Sequence, residues 1–198
     1  MCGRYFWDKE AEEAFEEDFP ELARIARLQE KALKKADYTP AMDALAVVGG
    51  RESLDTDVLK WGFPGFDKGK LLINARAESV MTRPTFAESY AARRCVLPAA
   101  GFYEWDRKKE KVTFRRNDRP ILYLAGIYRP YGEEKRFVIL TREANASMQP
   151  VHDRMPLILA REEVEPWVTD AGKAGSILTK ELPQLKAERP FEQMTFEW

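Results

Sequence analysis

The feature that most constrains the fold is a succession of short apolar or alternating segments between residues 44 and 160. Turn residues separate the segments at intervals of about 8–14 residues, which is typical of strands joined by hairpins. The clearest hairpins join residues 102–107 to 111–116 and residues 121–129 to 136–143. Hairpin connections argue against a doubly wound parallel sheet. The predicted strands are residues 44–48, 57–62, 71–77, 95–98, 102–107, 111–116, 121–129, 136–143 and 155–160.

Helical patterns gather before and after most of these strands. Asp8 is a suitable N-cap for a short acidic helix that ends at residue 18, and Pro20 suits the first turn of a second helix that extends to residue 35. Two more helices are predicted over residues 84–94 and 161–170. We expect a loop over residues 37–43, a short helix and turn over residues 143–153, and only weak signals from residue 176 onward.

A chain of 198 residues is long enough for one domain with a sizeable core. We therefore expect residues 1–198 to form a single α+β domain. Its centre would be a curved, largely antiparallel, barrel-like β core, and helices would cover the edges of the sheet.

Composition excludes several classes of protein. No apolar run approaches the roughly 18 residues that a membrane span requires, and the first residues turn acidic without the apolar segment of a signal peptide. Two cysteines and one histidine predict neither a disulfide framework nor a zinc site, so we expect a reducing cytoplasm, no metal and no cofactor. The net charge of −1 gives no overall attraction to nucleic acid, although 32 basic and 33 acidic residues could sort into a local basic groove.

Cys2 lies in the opening segment Met1-Cys2-Gly3-Arg4. Loss of Met1, which a small second residue permits, would leave an α-amine and a thiol on adjacent carbons, and the ordinary pKa values of both groups lie near neutral pH. Such a 1,2-aminothiol can condense with an aldehyde to an imine and then close a five-membered ring through sulfur. Position alone favours the simpler interpretation that Cys2 has no role.

Two other residues could carry acid–base chemistry. His152 is the only histidine, and imidazole is the simplest general acid or base near neutral pH, although a lone histidine is more often structural. Glu104 stands among aromatic residues in the segment Gly101–Trp105. Apolar neighbours would raise its pKa and let it transfer a proton, but alternation along a strand allows it equally well to point outward.

Asn74 follows an apolar strand, where asparagine is usually a turn former, yet its amide could instead orient a reacting group. Arg4 and Arg76 could contact phosphate, although each taken singly is most simply an exposed arginine. Aromatic residues nearby, such as Trp61 and Phe66, fit a core and could alternatively stack on unpaired bases.

In combination these segments resemble the SRAP family (SOS response-associated peptidase-like proteins). The resemblance follows the family's order from residue 2 to about residue 168 and so covers nearly the whole chain. The matching blocks are Cys2-Gly3-Arg4, Trp61-Gly62, residues 74–78 (NARAE), residues 94–105 (RCVLPAAGFYEW), Leu140-Thr141 with Ala144-Asn145, and residues 152–156 (HDRMP).

The resemblance implies a protein that binds single-stranded DNA and links itself covalently to an abasic site. Cys2, freed by autocatalytic removal of Met1, would attack the open-chain aldehyde first through its amine and then through its thiol, forming a thiazolidine. Asn74 would position the ring or the sugar oxygen, Glu104 would transfer protons, and His152 would assist ring opening, imine formation and reversal. The crosslink would shield the lesion from strand cleavage and error-prone bypass.

The resemblance also implies a DNA groove whose phosphate contacts hold the strand without reading its bases. Arg4, Arg76 and Arg154 match family positions that line this groove, and Thr141 matches a position that contacts phosphate. Arg83 and Arg142 are further candidates for DNA contacts. Pro40 and Phe66 belong to the loops that separate bases at the lesion.

Both loops depart from the family pattern. The segment Asp37–Met42 keeps Pro40 but lacks the family's asparagine and glutamine, and the loop after Gly62 is shorter and carries Phe66 in place of tryptophan. The chemistry of the site is therefore better supported by the resemblance than the details of strand kinking or junction preference.

Two other functions stay open at this point. Cys2 with His152 and Asn74 superficially resembles a Cys/His/Asn thiol peptidase, and self-removal of Met1 is compatible with that function as well. A passive single-stranded-DNA-binding module with an inert Cys2 is the third possibility. We expect a monomer without a membrane or obligate protein partner, located in a bacterial cytoplasm at the nucleoid and replication forks.

Overall fold

The computed structural model describes residues 2–28, 36–51, 53–67 and 69–189. The strands are β1 Arg4–Trp7, β2 Ala36–Tyr38, β3 Asp43–Gly49, β4 Leu54–Trp61, β5 Phe63–Pro64, β6 Leu71–Leu72, β7 Asn74–Arg76, β8 Arg94–Ala99, β9 Gly101–Trp105, β10 Lys111–Arg116, β11 Leu122–Tyr131, β12 Glu134–Glu143, β13 Arg154–Pro156, β14 Ile158–Leu159 and β15 Leu185–Glu188. The α-helices are α1 Lys9–Asp18, α2 Pro20–Leu28, α3 Pro84–Ala92, α4 Val164–Thr169 and α5 Ala171–Ile177, and short 3-10 helices cover Ala77–Ser79 and Arg161–Glu163.

Five strands close into a barrel. β12 pairs with β4, β4 with β3, β3 with β8, β8 with β11, and β11 pairs again with β12, so this ring has no open edge. β8 is buried along its whole length because α3 and α4 pack against it as well as the barrel core. The predicted α+β fold with a barrel-like core is confirmed. Pairing is largely antiparallel, as expected, and β12 makes parallel pairs with β4 and β7.

A second sheet lies beside the barrel and is antiparallel throughout, with the strand order β15-β10-β9-β1-β2. The chain passes from barrel strand β8 into β9 at Ala100, whose N–H donates to the Phe6 carbonyl at 2.8 Å. Gly101 then allows a close approach, because a Cβ there would lie 2.5 Å from the Phe114 carbonyl oxygen and 2.7 Å from the Phe6 ring. This crossing brings β1, and with it the start of the chain, alongside β9.

Four of the predicted helices form where their sequence signals place them, and one further helix, α5, is present. Asp8 caps α1 by accepting the Ala11 N–H at 3.0 Å. α2 begins at Pro20, and the remainder of the predicted helix, residues 29–35, lies outside the described residues. Trp167 of α4 is fully buried and donates its indole N–H to the Cys95 carbonyl at 3.0 Å. No helix in the described part of the chain is long and apolar enough to cross a membrane.

Two local predictions are wrong. The loop expected from residue 37 begins as strand β2, because the chain there pairs with β1 and Tyr38 stacks on Tyr5 with ring centroids 4.9 Å apart. The short helix expected after Glu143 is a series of turns instead. Asn145 shapes these turns, since its Oδ1 accepts from the Ser147 N–H and its Nδ2 donates to the Leu182 and Pro183 carbonyls, which lie far along the chain. The sequence also did not predict α5, which begins directly after the helix expected over residues 161–170, or β15 in the weakly patterned tail.

Candidate active site

Cys2 lies two residues before β1, and the pairing of this strand determines its position. Arg4 pairs with Tyr103 of β9, so the residues before Arg4 continue toward the end of β9, where Glu104 and Trp105 stand. Cys2 itself has no exposed surface. Its carbonyl oxygen accepts a hydrogen bond from Asn74 Nδ2 at 3.0 Å. A side chain distant in sequence thus holds the main chain of the predicted nucleophile in one position.

The Cys2 thiol is in an environment that favours its protonated form. Burial raises the pKa of this thiol, and the negative charge of Glu104 raises it further. The positive charge of the N-terminal amine and a hydrogen bond from the backbone of Arg4 lower this pKa. The thiol is therefore neutral at physiological pH, unlike the activated thiolate of a cysteine hydrolase.

Glu104 points inward. It is 4% exposed, and Phe102, two residues earlier on the same face of β9, is fully buried. Val112, directly opposite Glu104 on β10, is fully buried as well. The alternation that left two orientations open is settled in favour of a carboxylate inside the protein, close enough to Cys2 for its charge to act on the thiol.

Asn74 is the first residue of β7 rather than a turn residue. β7 runs parallel to β12, and Asn74 pairs with Ile139 in that ladder. Its Nδ2 is used by the Cys2 carbonyl, whereas its buried Oδ1 has no hydrogen-bond partner among the described residues. An amide oxygen can accept hydrogen bonds, so this atom is able to pair with a donor that binds beside Cys2.

His152 stands two residues before β13, with a quarter of its side chain exposed. Its Nδ1 lies 2.9 Å from the backbone N–H of Arg154 and 2.8 Å from Oδ1 of Asp153. The first contact requires an unprotonated Nδ1 and the second requires a protonated one. The backbone contact dominates for the neutral ring, because the Asp153 side chain is 87% exposed and water screens it. The neutral ring therefore carries its proton on Nε2.

Of two predicted DNA contacts, Arg154 is engaged by partners within the protein and Thr141 is buried. The Arg154 guanidinium donates to both carboxylate oxygens of Glu78 and to the Thr141 carbonyl. Thr141 is 1% exposed, and its buried hydroxyl has no partner among the described residues. The Thr141 hydroxyl is therefore enclosed, and both terminal nitrogens of Arg154 are engaged by protein acceptors.

The other candidate cations divide into two sets. Arg4, Arg76 and Arg83 form no ion pair with any described carboxylate, and Arg76 and Arg83 are exposed. Arg4 lies over the Trp105 ring, 5.8 Å from its centroid. Arg142, by contrast, donates to the Lys180 carbonyl and so binds the loop that follows α5. Arg4 and Arg76 are each two residues along the chain from a partner of the Asn74–Cys2 bond.

The two loop residues expected to contact bases lie on the outside of the barrel. Phe66, between β5 and β6, is 93% exposed. Pro40 is half-buried and precedes Ala41, which adopts a left-handed φ of 72°. The Ala41 N–H donates to the Trp61 carbonyl at 2.8 Å, so this loop is fixed to the end of β4. A non-glycine residue in the left-handed region stores strain that the surrounding structure must support.

Sequence reasoning assigned no role to Glu78, although it belongs to the quoted block at residues 74–78. Its partner Arg154 is 76 residues away, and no local charge pattern links the two. No group of three or more His, Cys, Asp or Glu side chains among the described residues is arranged to hold a metal ion. The polar side chains that the structure gathers at Cys2 are those of Asn74 and Glu104.

Comparison with known proteins gives consistent results. A family model described as SOS response associated peptidase (SRAP) matches residues 1–196. The chain is 32% identical over 146 residues to the abasic site processing protein YoaM of Bacillus subtilis, a match that spans 67% of this chain and 64% of that protein. It is 26% identical over 206 residues to the abasic site processing protein YedK of Escherichia coli, which spans all of this chain and 90% of that protein.

Solved structures share the fold. A phage-related protein of Bordetella bronchiseptica superposes with a TM-score of 0.76 at 24% identity, covering 96% of this chain and 95% of that one. A protein of Bacteroides thetaiotaomicron gives a TM-score of 0.74 at 21% identity, covering 95% and 91% of the two chains. At these identities the likeness supports the architecture alone.

Proposed function

The chain belongs to the SRAP family, and from this premise we propose that it processes abasic sites in single-stranded DNA by forming a covalent thiazolidine with Cys2. The reacting form is one in which Met1 has been removed, so that the α-amine of Cys2 is free. The cytoplasmic, replication-associated location and the monomeric state expected from the sequence belong to the same proposal.

The observation that carries the proposal is the hydrogen bond from Asn74 to the Cys2 carbonyl beside a buried Glu104. A condensation through both groups of one residue needs a fixed main chain, because amine and thiol must reach the same carbon from defined directions. It also needs proton transfer in an enclosed place. The unused Oδ1 of Asn74 is suited to accept a hydrogen bond from the α-amine or from the nitrogen of the ring.

The proposed chemistry proceeds in three balanced steps. The neutral α-amine adds to the aldehyde carbon of the opened abasic sugar, and the resulting hydroxyl leaves as water when an acid supplies its proton, giving an imine. Sulfur then adds to the imine carbon, and the thiol proton passes to nitrogen. Glu104 and His152 are the groups that transfer these protons. One molecule of water is lost overall.

A thiol that is protonated at neutral pH supports this order of events. The amine attacks first, and the thiol is needed only when an electrophilic imine is already held beside it. A cysteine peptidase would need the opposite, a thiol whose pKa is lowered by a neighbouring base. Burial and the charge of Glu104 instead raise the pKa of Cys2, which favours condensation over a peptidase mechanism.

DNA would be held by phosphate contacts from Arg4, Arg76 and Arg83, the candidate arginines without a carboxylate partner among the described residues. Binding through phosphates is independent of base sequence and weakens with salt.

A denaturing gel tests the proposal. The protein is incubated with a single-stranded oligonucleotide that contains one abasic site, with the intact oligonucleotide as a control. We expect a heat-stable shifted band with the wild type. No shifted band should appear with Cys2→Ala or with intact DNA. A shift that appears only on native gels would instead support the passive binding module.

A further inference from the structure

We propose that Glu78 is a positioning residue for this reaction, because its ion pair with Arg154 holds together the two segments that carry Asn74 and His152. The inference rests on the proposed function. It adds a residue that never touches the DNA lesion and yet determines how the reacting side chains face it.

The ion pair has a defined geometry. Nη1 and Nη2 of Arg154 donate to Oε1 and Oε2 of Glu78 at 2.7 and 2.8 Å, and Nη2 also donates to the Thr141 carbonyl at 2.6 Å. A two-pronged arginine–carboxylate contact fixes both the separation and the relative orientation of its partners. The Arg154 side chain is only 14% exposed, so water screens this pair less than an ordinary surface pair.

The ion pair connects two segments that lie on either side of β12. Thr141 of β12 pairs with Arg76 of β7 and with Pro156 of β13, so β7 and β13 lie on opposite edges of β12. Glu78 follows the end of β7 by two residues, and Arg154 begins β13. Their side chains therefore join the two flanking segments across β12.

Each flanking segment carries one of the proposed reacting groups. Asn74 is the first residue of β7, and His152 precedes β13 by two residues. The ion pair adds a direct side-chain link between these two segments to the ladders that each of them makes with β12. Both ladders are short at this point, since β7 and β13 each contain three residues.

Arg154 also controls the His152 ring through its main chain. Its backbone N–H donates to Nδ1 of His152 and so selects the tautomer with the proton on Nε2. Asp153 competes for the same nitrogen, with Oδ1 2.8 Å away. While Glu78 holds Arg154, the backbone contact is maintained. Once it is lost, Asp153 Oδ1 can accept a hydrogen bond from a protonated Nδ1, which favours the other tautomer of the neutral ring.

Removal of the Glu78 charge should have different effects on the crosslinking rate and on DNA affinity. Glu78 neutralises Arg154, so removal of the Glu78 charge leaves one more unpaired cation near the predicted DNA path. A substitution that merely damaged the DNA surface would weaken binding. Loss of Glu78 should slow crosslinking and leave binding unchanged or tighter.

Glu78→Gln tests the proposal, and Glu88→Gln is its matched control. Glu88 pairs with Arg93 at 2.8 Å on α3, outside the candidate site. At saturating abasic oligonucleotide we expect Glu78→Gln to crosslink at least about tenfold more slowly, while affinity for the intact oligonucleotide is equal or higher, with a salt slope steeper by about 0.7. Glu88→Gln should match the wild type in both assays.

Arg154→Lys keeps the charge but loses the two-pronged contact, and it should slow crosslinking to a similar extent. The double variant should be no slower than the slower single variant, because both substitutions disrupt one unit. Rate losses that multiply in the double variant, or a Glu78→Gln protein that crosslinks at the wild-type rate, would overturn the positioning role. Thermal unfolding of each variant checks that the protein is folded during the assay.

A second readout does not depend on crosslinking. Because the chain has one histidine, a long-range ¹H–¹⁵N spectrum of the imidazole is unambiguous. At a pH well above the ordinary histidine pKa, we expect the wild type and Glu88→Gln to show the Nε2–H tautomer and Glu78→Gln to show a mixture. An unchanged tautomer in Glu78→Gln contradicts the proposal. A wild type that does not crosslink contradicts the proposed function instead, and the histidine spectrum still decides the role of Glu78.

Discussion

Two arginines are withdrawn from water in this molecule, and their surroundings differ in kind. Arg94 is 5% exposed and donates to the carbonyls of Tyr90 and Ala91 at the end of α3, and of Trp167 and Val168 at the end of α4. None of the described carboxylates lies within ion-pair distance of it. Arg154 instead meets the carboxylate of Glu78 and a single carbonyl.

This difference indicates a structural role for Arg94 and a functional role for Arg154. The carbonyls at helix C-termini carry partial negative charge and attract a cation, so Arg94 fastens two helices to the barrel without a side-chain partner. Burial lowers the pKa of Arg94, which indicates that this placement costs free energy. Glu78 is half exposed and stands on the segment that leads from Asn74. We expect the surroundings of Arg94 to set stability and those of Arg154 to set reactivity.

The largest effect should come from Arg94→Ala. Four carbonyls lose their donor, and since an unsatisfied buried group costs about 1–3 kcal/mol, the free energy of unfolding should fall by at least about 3 kcal/mol. Urea unfolding measures this change. Crosslinking by the protein that remains folded should stay within about twofold of wild type. If Arg94→Ala slowed crosslinking and left the unfolding midpoint unchanged, Arg94 would have a role in reactivity and not in stability.

Glu104→Gln should produce the opposite pattern. Removal of a proton-transferring group typically slows a reaction by about 10²–10⁴-fold, and we expect this loss of crosslinking rate to exceed any effect on the free energy of unfolding. The pKa of the Cys2 thiol should fall as well, because the Glu104 charge is one of the two causes that raise it. Single-turnover crosslinking and the pH dependence of thiolate absorbance measure these effects. A higher thiol pKa in the variant would contradict the placement of Glu104 beside Cys2.

Arg76→Ala and Arg142→Ala form a matched pair among the candidate DNA contacts. Arg76 is exposed without a described carboxylate partner, whereas Arg142 donates to the Lys180 carbonyl. The salt slope of binding to single-stranded DNA should become shallower by about 0.7 in Arg76→Ala and should not change in Arg142→Ala. Fluorescence anisotropy titrations at several salt concentrations supply the slopes. Equal slopes for the two variants would remove the distinction between engaged and available arginines.

The smallest effect concerns acid stability. The hydrogen bonds from Arg154 lower the pKa of Glu78 from the ordinary 4.5 to about 2. A carboxyl with a lowered pKa in the folded state stabilises the protein fully above its unfolded pKa, and this contribution is lost as pH falls through the folded pKa. Unfolding midpoints measured between pH ~4.5 and ~2 should therefore decline less steeply in Glu78→Gln than in the wild type. Parallel curves would mean that the pair does not form.

The sequence predicted the fold well wherever the signal was local. Asp8 before an acidic helix, Pro20 at a helix start, and the hairpins of β9 with β10 and β11 with β12 all appear as expected. Strand β2 and the turns around Asn145 depend on partners distant in the chain, such as Tyr5 and Leu182, and no local pattern encodes them. The closed ring likewise depends on long-range pairing.

The site was predicted unevenly for the same reason. Motif resemblance identified Cys2, Asn74 and Glu104, and the structure brings these three together. The resemblance could not show that Arg154 forms an ion pair with Glu78, because a motif records residue types and not their hydrogen-bond partners. The roles given to the DNA-contacting residues, and to His152 in proton transfer, stay predictions.

The central claim is that amine and thiol of Cys2 react with the same aldehyde carbon, and intact-mass spectrometry of the crosslinked complex tests it most directly. The account predicts one adduct whose mass is that of the protein without Met1 plus the abasic oligonucleotide, less one water. The adduct should survive without borohydride reduction, because a closed ring does not hydrolyse as an imine does. An adduct that retains Met1, one that needs reduction to survive, or one that forms equally with Cys2→Ser would contradict the account.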